Sequence, residues 1–137
     1  MAVIKELIRR NSNDTLSFGN YKLDKKTKVE EFEHKGDLYK VKTYNKITKL
    51  ERNGMFVYES VPGTAVFNFA FKEDEVSFEV FGDGPARITL ELEAEEEYEI
   101  FKEEKSLGEV KTNLGGKLVF SADLTEDEAV FIKVVKL

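Results

Sequence analysis

Apolar and polar residues alternate with a period of two over most of the chain from residue 55 to residue 137. Successive side chains of a β-strand point to opposite faces, so this alternation predicts antiparallel strands with one buried face. In the first of these runs, the pattern places Phe67, Phe69 and Phe71 together on one face. The clearest runs are Phe67–Phe71, Val76–Val80, Ile88–Leu92, Tyr98–Ile100, Leu118–Leu124 and Val130–Val134.

Turn-forming residues separate these runs at a spacing of roughly ten residues. Glycine supplies positive φ angles and proline presets φ, so these segments favour tight turns. The turns are Val61–Gly63, Gly82–Pro85, Asn113–Gly116 and Thr125–Glu128. About eight short strands are therefore expected in residues 55–137, which is typical of an antiparallel, immunoglobulin-like β-sandwich.

Residues 1–54 are less regular and carry little apolar mass. Ile4–Ile8 fits either a helical turn or a strand, and the nearby β-branched residues favour a strand. Asn53–Gly54 is a type I′ hairpin dipeptide at the sharpest change in composition. Short strands are predicted at Leu16–Phe18, Leu38–Val41 and Ile47–Leu50. We expect residues 1–54 to form a small N-terminal β subdomain packed on a sandwich domain of residues 55–137.

The composition excludes several classes of chemistry. The 137 residues are 41% hydrophobic and 35% charged, which indicates a globular fold with a charged surface. There is no cysteine and no tryptophan, and His34 is the single histidine. Disulfides, thiolate metal sites and cysteine nucleophiles are therefore ruled out. We predict that the protein is not an enzyme and has no catalytic residue, no cofactor and no metal site.

The first ten residues contain charged side chains and no long apolar segment, so we expect no signal peptide, and no apolar run in the sequence is long enough to span a membrane. We therefore expect a cytoplasmic protein that has no contact with a membrane.

Charge is unevenly distributed along the chain. Residues 1–54 hold 13 Lys and Arg against 8 Asp and Glu, a net of +5, and the remainder carries −11 of the total of −6. The interpretation that this asymmetry favours is that the basic half and the acidic half attract each other, either within one chain or between subunits. Binding of a polyanion by the basic half is a second interpretation. Basic residues alternate with acidic ones and form no dense run, so nucleic-acid binding is not expected.

Polar candidates for a site have simpler structural explanations. Eight acidic residues lie within Glu91–Glu104, and four of them, at positions 91, 93, 97 and 99, fall at the outward positions of predicted strands. A solvated face explains them better than a pair of catalytic carboxylates. His34 precedes Lys35–Gly36 and is predicted to lie on the surface at the start of a turn.

Three phenylalanines are candidates for an interaction surface. Phe81 and Phe101 occupy outward positions of their strands, beside acidic residues. The last strand, Ala129–Leu137, is apolar on both faces, so Phe131 is left over once its inner face is buried. We predict that residues 1–54 cover the second face of this strand. The remaining surface, with Phe81, Phe101 and Phe131, is predicted to build a homo-oligomer, most simply a two-fold dimer.

The chain also resembles known proteins. The runs Phe32–Thr43 and Ile47–Thr64 are similar to a small set of uncharacterised bacterial proteins, some of which carry the label "endosialidase". Sialidases carry S-x-D-x-G-x-T-W boxes and an arginine cluster, which this sequence lacks, so the resemblance implies no catalytic residue. The segment from Tyr98 to Val134 resembles the small β-sandwich modules of carbohydrate-active enzymes.

The sequence therefore predicts a non-catalytic structural or interaction module that binds another copy of itself or another protein. The alternative is a carbohydrate-binding module that uses surface tyrosines. Most of the aromatic rings alternate with charged residues and are expected in the core, so this alternative needs an exposed ring among Tyr21, Tyr39, Tyr44, Tyr58 and Tyr98.

Overall fold

A computed structural model describes residues 3–137, which form thirteen β-strands. The strands are β1 (Ile8–Arg10), β2 (Leu16–Phe18), β3 (Thr27–His34), β4 (Asp37–Tyr44), β5 (Ile47–Arg52), β6 (Met55–Val61), β7 (Ala65–Phe71), β8 (Glu75–Phe81), β9 (Gly84–Glu91), β10 (Glu97–Lys102), β11 (Lys105–Lys111), β12 (Lys117–Leu124) and β13 (Val130–Lys136). Within these residues, no helix is long and apolar enough to cross a membrane.

The strands form two antiparallel sheets that pack face to face. The first sheet has seven strands in the order β1-β2-β7-β8-β13-β10-β11, and the second has six in the order β12-β9-β6-β5-β4-β3. Alternate residues are buried along β8 and β12, as the period of two predicts. Phe78 of the first sheet and Leu90 of the second belong to one hydrophobic core. The predicted all-β, antiparallel sandwich is confirmed, and residues 55–137 hold eight strands, which is the number expected.

The strands of residues 1–54 belong to the same two sheets as the rest of the chain. β2 pairs with β7, and β5 pairs with β6 through a tight turn. Asn53 and Gly54 of this turn both have positive φ, 52° and 86°, as a type I′ turn requires. Val41 and Leu50 are fully buried in the shared core. The division of the chain at residue 54 into two units stays a prediction.

Two local predictions are wrong. Residues 4–7 form a turn, in which the Leu7 amide donates to the Ile4 carbonyl, and β1 begins at Ile8. In β7, a bulge at Asn68, whose φ is 55°, interrupts the alternation. The bulge inserts an extra residue, so Phe69 stays inside the core while Phe67 turns to the outer face. Phe67, Phe69 and Phe71 therefore do not share one face.

Candidate functional site

Phe81, Phe101 and Phe131 lie on the same face of the seven-stranded sheet. They belong to β8, β10 and β13, which are neighbours in the order β8-β13-β10. In each strand the adjacent residues point into the core, as Val80, Ile100 and Ile132 do. The three phenylalanine rings therefore point away from the second sheet, and each is partly exposed. The outward orientation predicted from the sequence agrees with these positions.

A fourth phenylalanine joins these three because of the bulge in β7. Phe67 packs edge-on against Phe81, with 5.3 Å between the ring centroids. The guanidinium of Arg9 lies over the Phe67 ring at 5.7 Å. We call Phe67, Phe81, Phe101 and Phe131 the outer Phe patch. Sequence periodicity missed Phe67, and the signal for it was Asn68, a residue type that tolerates the positive φ of a bulge.

Charged side chains lie between the rings of the outer Phe patch. Phe131 is opposite Glu79 on β8, and Phe101 is opposite Lys133 on β13. The Lys133 Nζ lies 3.8 Å from a carboxylate oxygen of Glu75. The Asn68 side-chain amide donates to Glu79 Oε1 at 2.8 Å. The surface is thus a row of half-exposed rings separated by acidic and basic side chains, and these polar groups contact one another.

Residues 1–54 do not cover this face. β1 and β2 extend the sheet at its side, and β3, β4 and β5 belong to the opposite sheet. Phe131 and Val135 stay partly exposed, and Leu137 is 56% exposed. The predicted cover within the chain is wrong, because the N-terminal strands join the edges of both sheets and form no third layer.

The tyrosines do not form a platform for sugar stacking. Tyr21, Tyr39, Tyr58 and Tyr98 are buried, and Tyr44 is partly exposed. The Tyr98 hydroxyl accepts a hydrogen bond from the Glu93 amide at 3.2 Å. These four tyrosines are therefore not available for stacking on a sugar, and their burial agrees with the expectation that most of the aromatic rings belong to the core.

A buried network of hydroxyl groups lies around Thr64. Its Oγ1 is 2.8 Å from the Tyr58 hydroxyl and 2.8 Å from Ser60 Oγ. The Thr48 hydroxyl lies 2.8 Å from that of Thr43 and donates to the Thr64 carbonyl at 2.9 Å. All five residues are fully buried. Burial raises the pKa of Tyr58 above its ordinary value, although the neighbouring hydroxyl groups of Thr64 and Ser60 oppose this shift. The network holds the polar part of the core together and reaches no solvent.

A cleft of about 410 Å³ opens at one end of the sandwich. Its lining includes Arg52, Val57, Phe71, Glu91 and Tyr98. The Arg52 guanidinium lies over the Phe71 ring at 5.0 Å, so a cation already covers one face of that ring.

His34 lies beside a second, smaller cleft at the same end. The residue ends β3 before the turn at Lys35–Gly36, as predicted, but it is buried rather than on the surface. Its Nε2 lies 3.0 Å from the Asp14 carbonyl oxygen, and its ring packs edge-on near Tyr39. The loop containing Asp14 covers the imidazole, a tertiary contact that the local sequence did not indicate.

The acidic run Glu91–Glu104 follows the end of β9, the next connection, β10 and the β10–β11 turn. Its residues are partly or fully exposed apart from Tyr98 and Ile100, which are buried. Within residues 3–137, no group of three or more His, Asp or Glu side chains is placed to hold a metal ion.

Comparison with protein-family models, curated proteins and solved structures gives no match for this chain. The resemblance to small bacterial proteins and to modules of carbohydrate-active enzymes stays a prediction from the residues.

Proposed function

We propose that this protein is a non-catalytic interaction module and that the outer Phe patch is its binding surface. The observation that carries the proposal is the placement of four phenylalanines on one sheet face with no layer above them within residues 3–137. Partly exposed aromatic rings surrounded by charged side chains are typical of protein interfaces, where the rings supply most of the binding free energy.

A second copy of the chain is the partner that we propose for this surface. A two-fold axis would bring each patch onto its symmetry mate. Lys133 lies among Glu75, Glu79 and Glu99, so a rotated copy would offer its lysine to the carboxylates of the first. Such pairs add orientation to the apolar contact, at a modest free energy for each exposed pair.

Further expectations belong to the same proposal. We infer a bacterial, cytoplasmic protein whose sandwich is immunoglobulin-like, on the strength of the sequence pattern and the resemblance described above. A carbohydrate ligand is not part of the proposal, because four of the five tyrosines that would stack on it are buried.

The oligomeric state of the full chain tests this proposal. We expect light scattering to give a mass that rises with concentration towards that of a dimer. Phe131→Lys should hold the protein at the monomer mass, because it places a charge within the apolar contact. The matched control is Phe56→Lys, which changes a partly exposed ring on the opposite sheet and should leave association intact.

A chain that stays monomeric up to about 1 mM would contradict self-association. Equal effects of Phe131→Lys and Phe56→Lys would show that the outer Phe patch is not the interface. Turnover of a sialylated polymer by the purified chain, abolished by one carboxylate substitution, would contradict the non-catalytic assignment.

A further inference from the structure

One side of the sandwich has a step, because the two sheets have different numbers of strands. β11 ends the seven-stranded sheet, and β12 ends the six-stranded sheet. The two strands are joined by residues 112–116, so these edges lie at the same side of the molecule. All seven residues of β11 are exposed. Val110 and Gly108 are opposite the inward-facing Tyr98 and Ile100 of β10, yet no strand of the second sheet covers them.

The outer edge of β12 presents free backbone groups above this step. The Leu92 amide donates to the Gly116 carbonyl at 2.7 Å. Hydrogen-bonded and non-hydrogen-bonded residue pairs alternate along an antiparallel pair of strands, so this bond determines which residues of β12 point their backbone groups towards β9. Even-numbered residues of β12 therefore direct their amide and carbonyl groups to β9. Odd-numbered residues direct theirs to the free edge, as Lys117 shows by donating its amide to Asn113 Oδ1 at 2.9 Å. Val119, Ser121 and Asp123 thus offer donors and acceptors in a straight row.

The other sheet edges carry features that discourage pairing. β1 has three residues, and β3 contains a bulge, with Glu31 at positive φ. β11 has an irregular register beside Gly108, whose φ is 114°. β12 pairs with β9 over eight residues without a register shift and contains no glycine or proline. Among the edges described in residues 3–137, β12 is the one without such protection.

We propose that β12 accepts an extended peptide segment of another protein as an additional antiparallel strand. This strand lies over the inner face of β11 and completes the six-stranded sheet. Its backbone bonds to Val119, Ser121 and Asp123, and its alternate side chains pack towards Val110 and Gly108. This is the strand-addition mode of peptide recognition, in which the backbone gives affinity and the side chains give specificity.

Charge complementarity defines the segment. Lys117 and Asp123 stand on the outer face at opposite ends of β12. An antiparallel segment therefore carries a basic residue opposite Asp123 and, six positions later, an acidic residue opposite Lys117. Between them, apolar residues alternate with small polar ones, since one face of the segment contacts β11 and the other faces solvent.

A second copy of the whole chain fits this step poorly, although the basic end of one β12 would lie opposite the acidic end of the other in an antiparallel pair. Each copy carries a β11 that extends beyond its own β12, and pairing β12 with β12 would drive both overhanging strands into the same space. An isolated extended segment has no such obstruction, which is why we assign the site to a peptide.

The probe is a fluorescein-labelled peptide, Lys-Val-Thr-Val-Thr-Val-Glu, titrated with the full chain and followed by fluorescence anisotropy. We expect saturable binding. Methylating the two threonine nitrogens, which face β12, should weaken binding at least tenfold. The matched control carries methyl groups on the nitrogens of the first two valines, which face away, and should bind within about threefold of the parent.

Exposed substitutions test the charge pattern without disturbing the core. The double variant Lys117→Glu with Asp123→Lys should bind the parent peptide about tenfold more weakly and should prefer Glu-Val-Thr-Val-Thr-Val-Lys by a similar factor. Val119→Pro removes one free amide and should also weaken binding, with urea unfolding to show that the variant is folded.

The absence of saturation at about 1 mM peptide would overturn the proposal, as would equal affinities for the two methylated peptides. A parent chain whose dimer mass is lost in Val119→Pro, with no peptide binding, would assign the edge to a second copy instead. Loss of self-association in Phe131→Lys with unchanged peptide binding would separate this site from the outer Phe patch.

Discussion

Thr64→Val is the substitution that best tests the buried hydroxyl network. The two side chains have nearly the same shape, and Thr64 is fully buried. Its Oγ1 is the hydrogen-bond partner of both the Tyr58 hydroxyl and Ser60 Oγ, at 2.8 Å each. Valine fills the same space and retains the backbone bond from the Thr64 amide to Thr48 Oγ1. The substitution therefore removes the centre of the network and little else.

The expected cost follows from the two hydroxyl groups left behind. A buried polar group that loses its partner costs about 1–3 kcal/mol, so Thr64→Val should lower the free energy of unfolding by about 3 kcal/mol. Tyr58→Phe should cost about 1 kcal/mol, because Thr64 can still bond to Ser60. The double variant combines Thr64→Val with Tyr58→Phe. It leaves only the Ser60 hydroxyl without a partner, whereas Thr64→Val alone leaves two hydroxyl groups without one. The double variant should therefore cost less than the sum of the single ones.

Urea unfolding followed by circular dichroism measures these differences. The midpoint should fall while the slope stays constant, since the surface exposed on unfolding does not change. Thr89→Val is the control, because Thr89 lies on the outer face of β9 and its change should stay within about 0.5 kcal/mol. A cost below about 0.5 kcal/mol for Thr64→Val, or strict additivity in the double variant, would refute the network.

Three further predictions concern the core, its titration and the role of the N-terminal strands. Phe78→Ala and Leu90→Ala should each lower the free energy of unfolding by about 3 kcal/mol, because both side chains are fully buried; less than half of that at both positions would contradict their inward orientation. Above pH 10 the unfolded chain releases the Tyr58 proton while the folded chain keeps it, because burial raises the pKa of Tyr58. The free energy of unfolding should therefore fall as pH rises, by about 1.4 kcal/mol per pH unit. Urea titrations at pH 8 to 11 measure this slope, which Tyr58→Phe should reduce. A fragment beginning at Met55 should aggregate or unfold, because it lacks five strands of the two sheets. A soluble fragment whose stability equals that of the full chain would show that residues 55–137 fold alone.

The sequence by itself determined the class of fold and the turns. Alternation in runs such as Val76–Val80 and Leu118–Leu124 is a local property, and it predicted both the strands and their buried faces. Asn53–Gly54 predicted its turn because few residue types tolerate two positive φ angles in succession. The outward positions of Phe81 and Phe101 followed from the same alternation.

The sequence pattern was weakest where side chains meet solvent on both faces. The exposed edge strands β3 and β11 carry many charges and show no clear alternation, so neither was recognised as a strand. Edge strands depend on hydrogen bonds to one neighbour, and those bonds leave no signature in side-chain hydropathy.

Tertiary structure alone decided how the two candidate surfaces are built. The bulge at Asn68 places Phe67 beside Phe81. An inserted residue breaks the alternation of side chains, so the residues on one side of the bulge point to the opposite face from the one that the sequence pattern predicts. The step between β11 and β12 depends on which strand ends each sheet, and the order of strands is set by contacts distant in sequence. Burial of His34 under the Asp14 loop has the same origin. Local alternation records which face of a strand is buried, whereas strand order and loop placement arise when distant segments pack together.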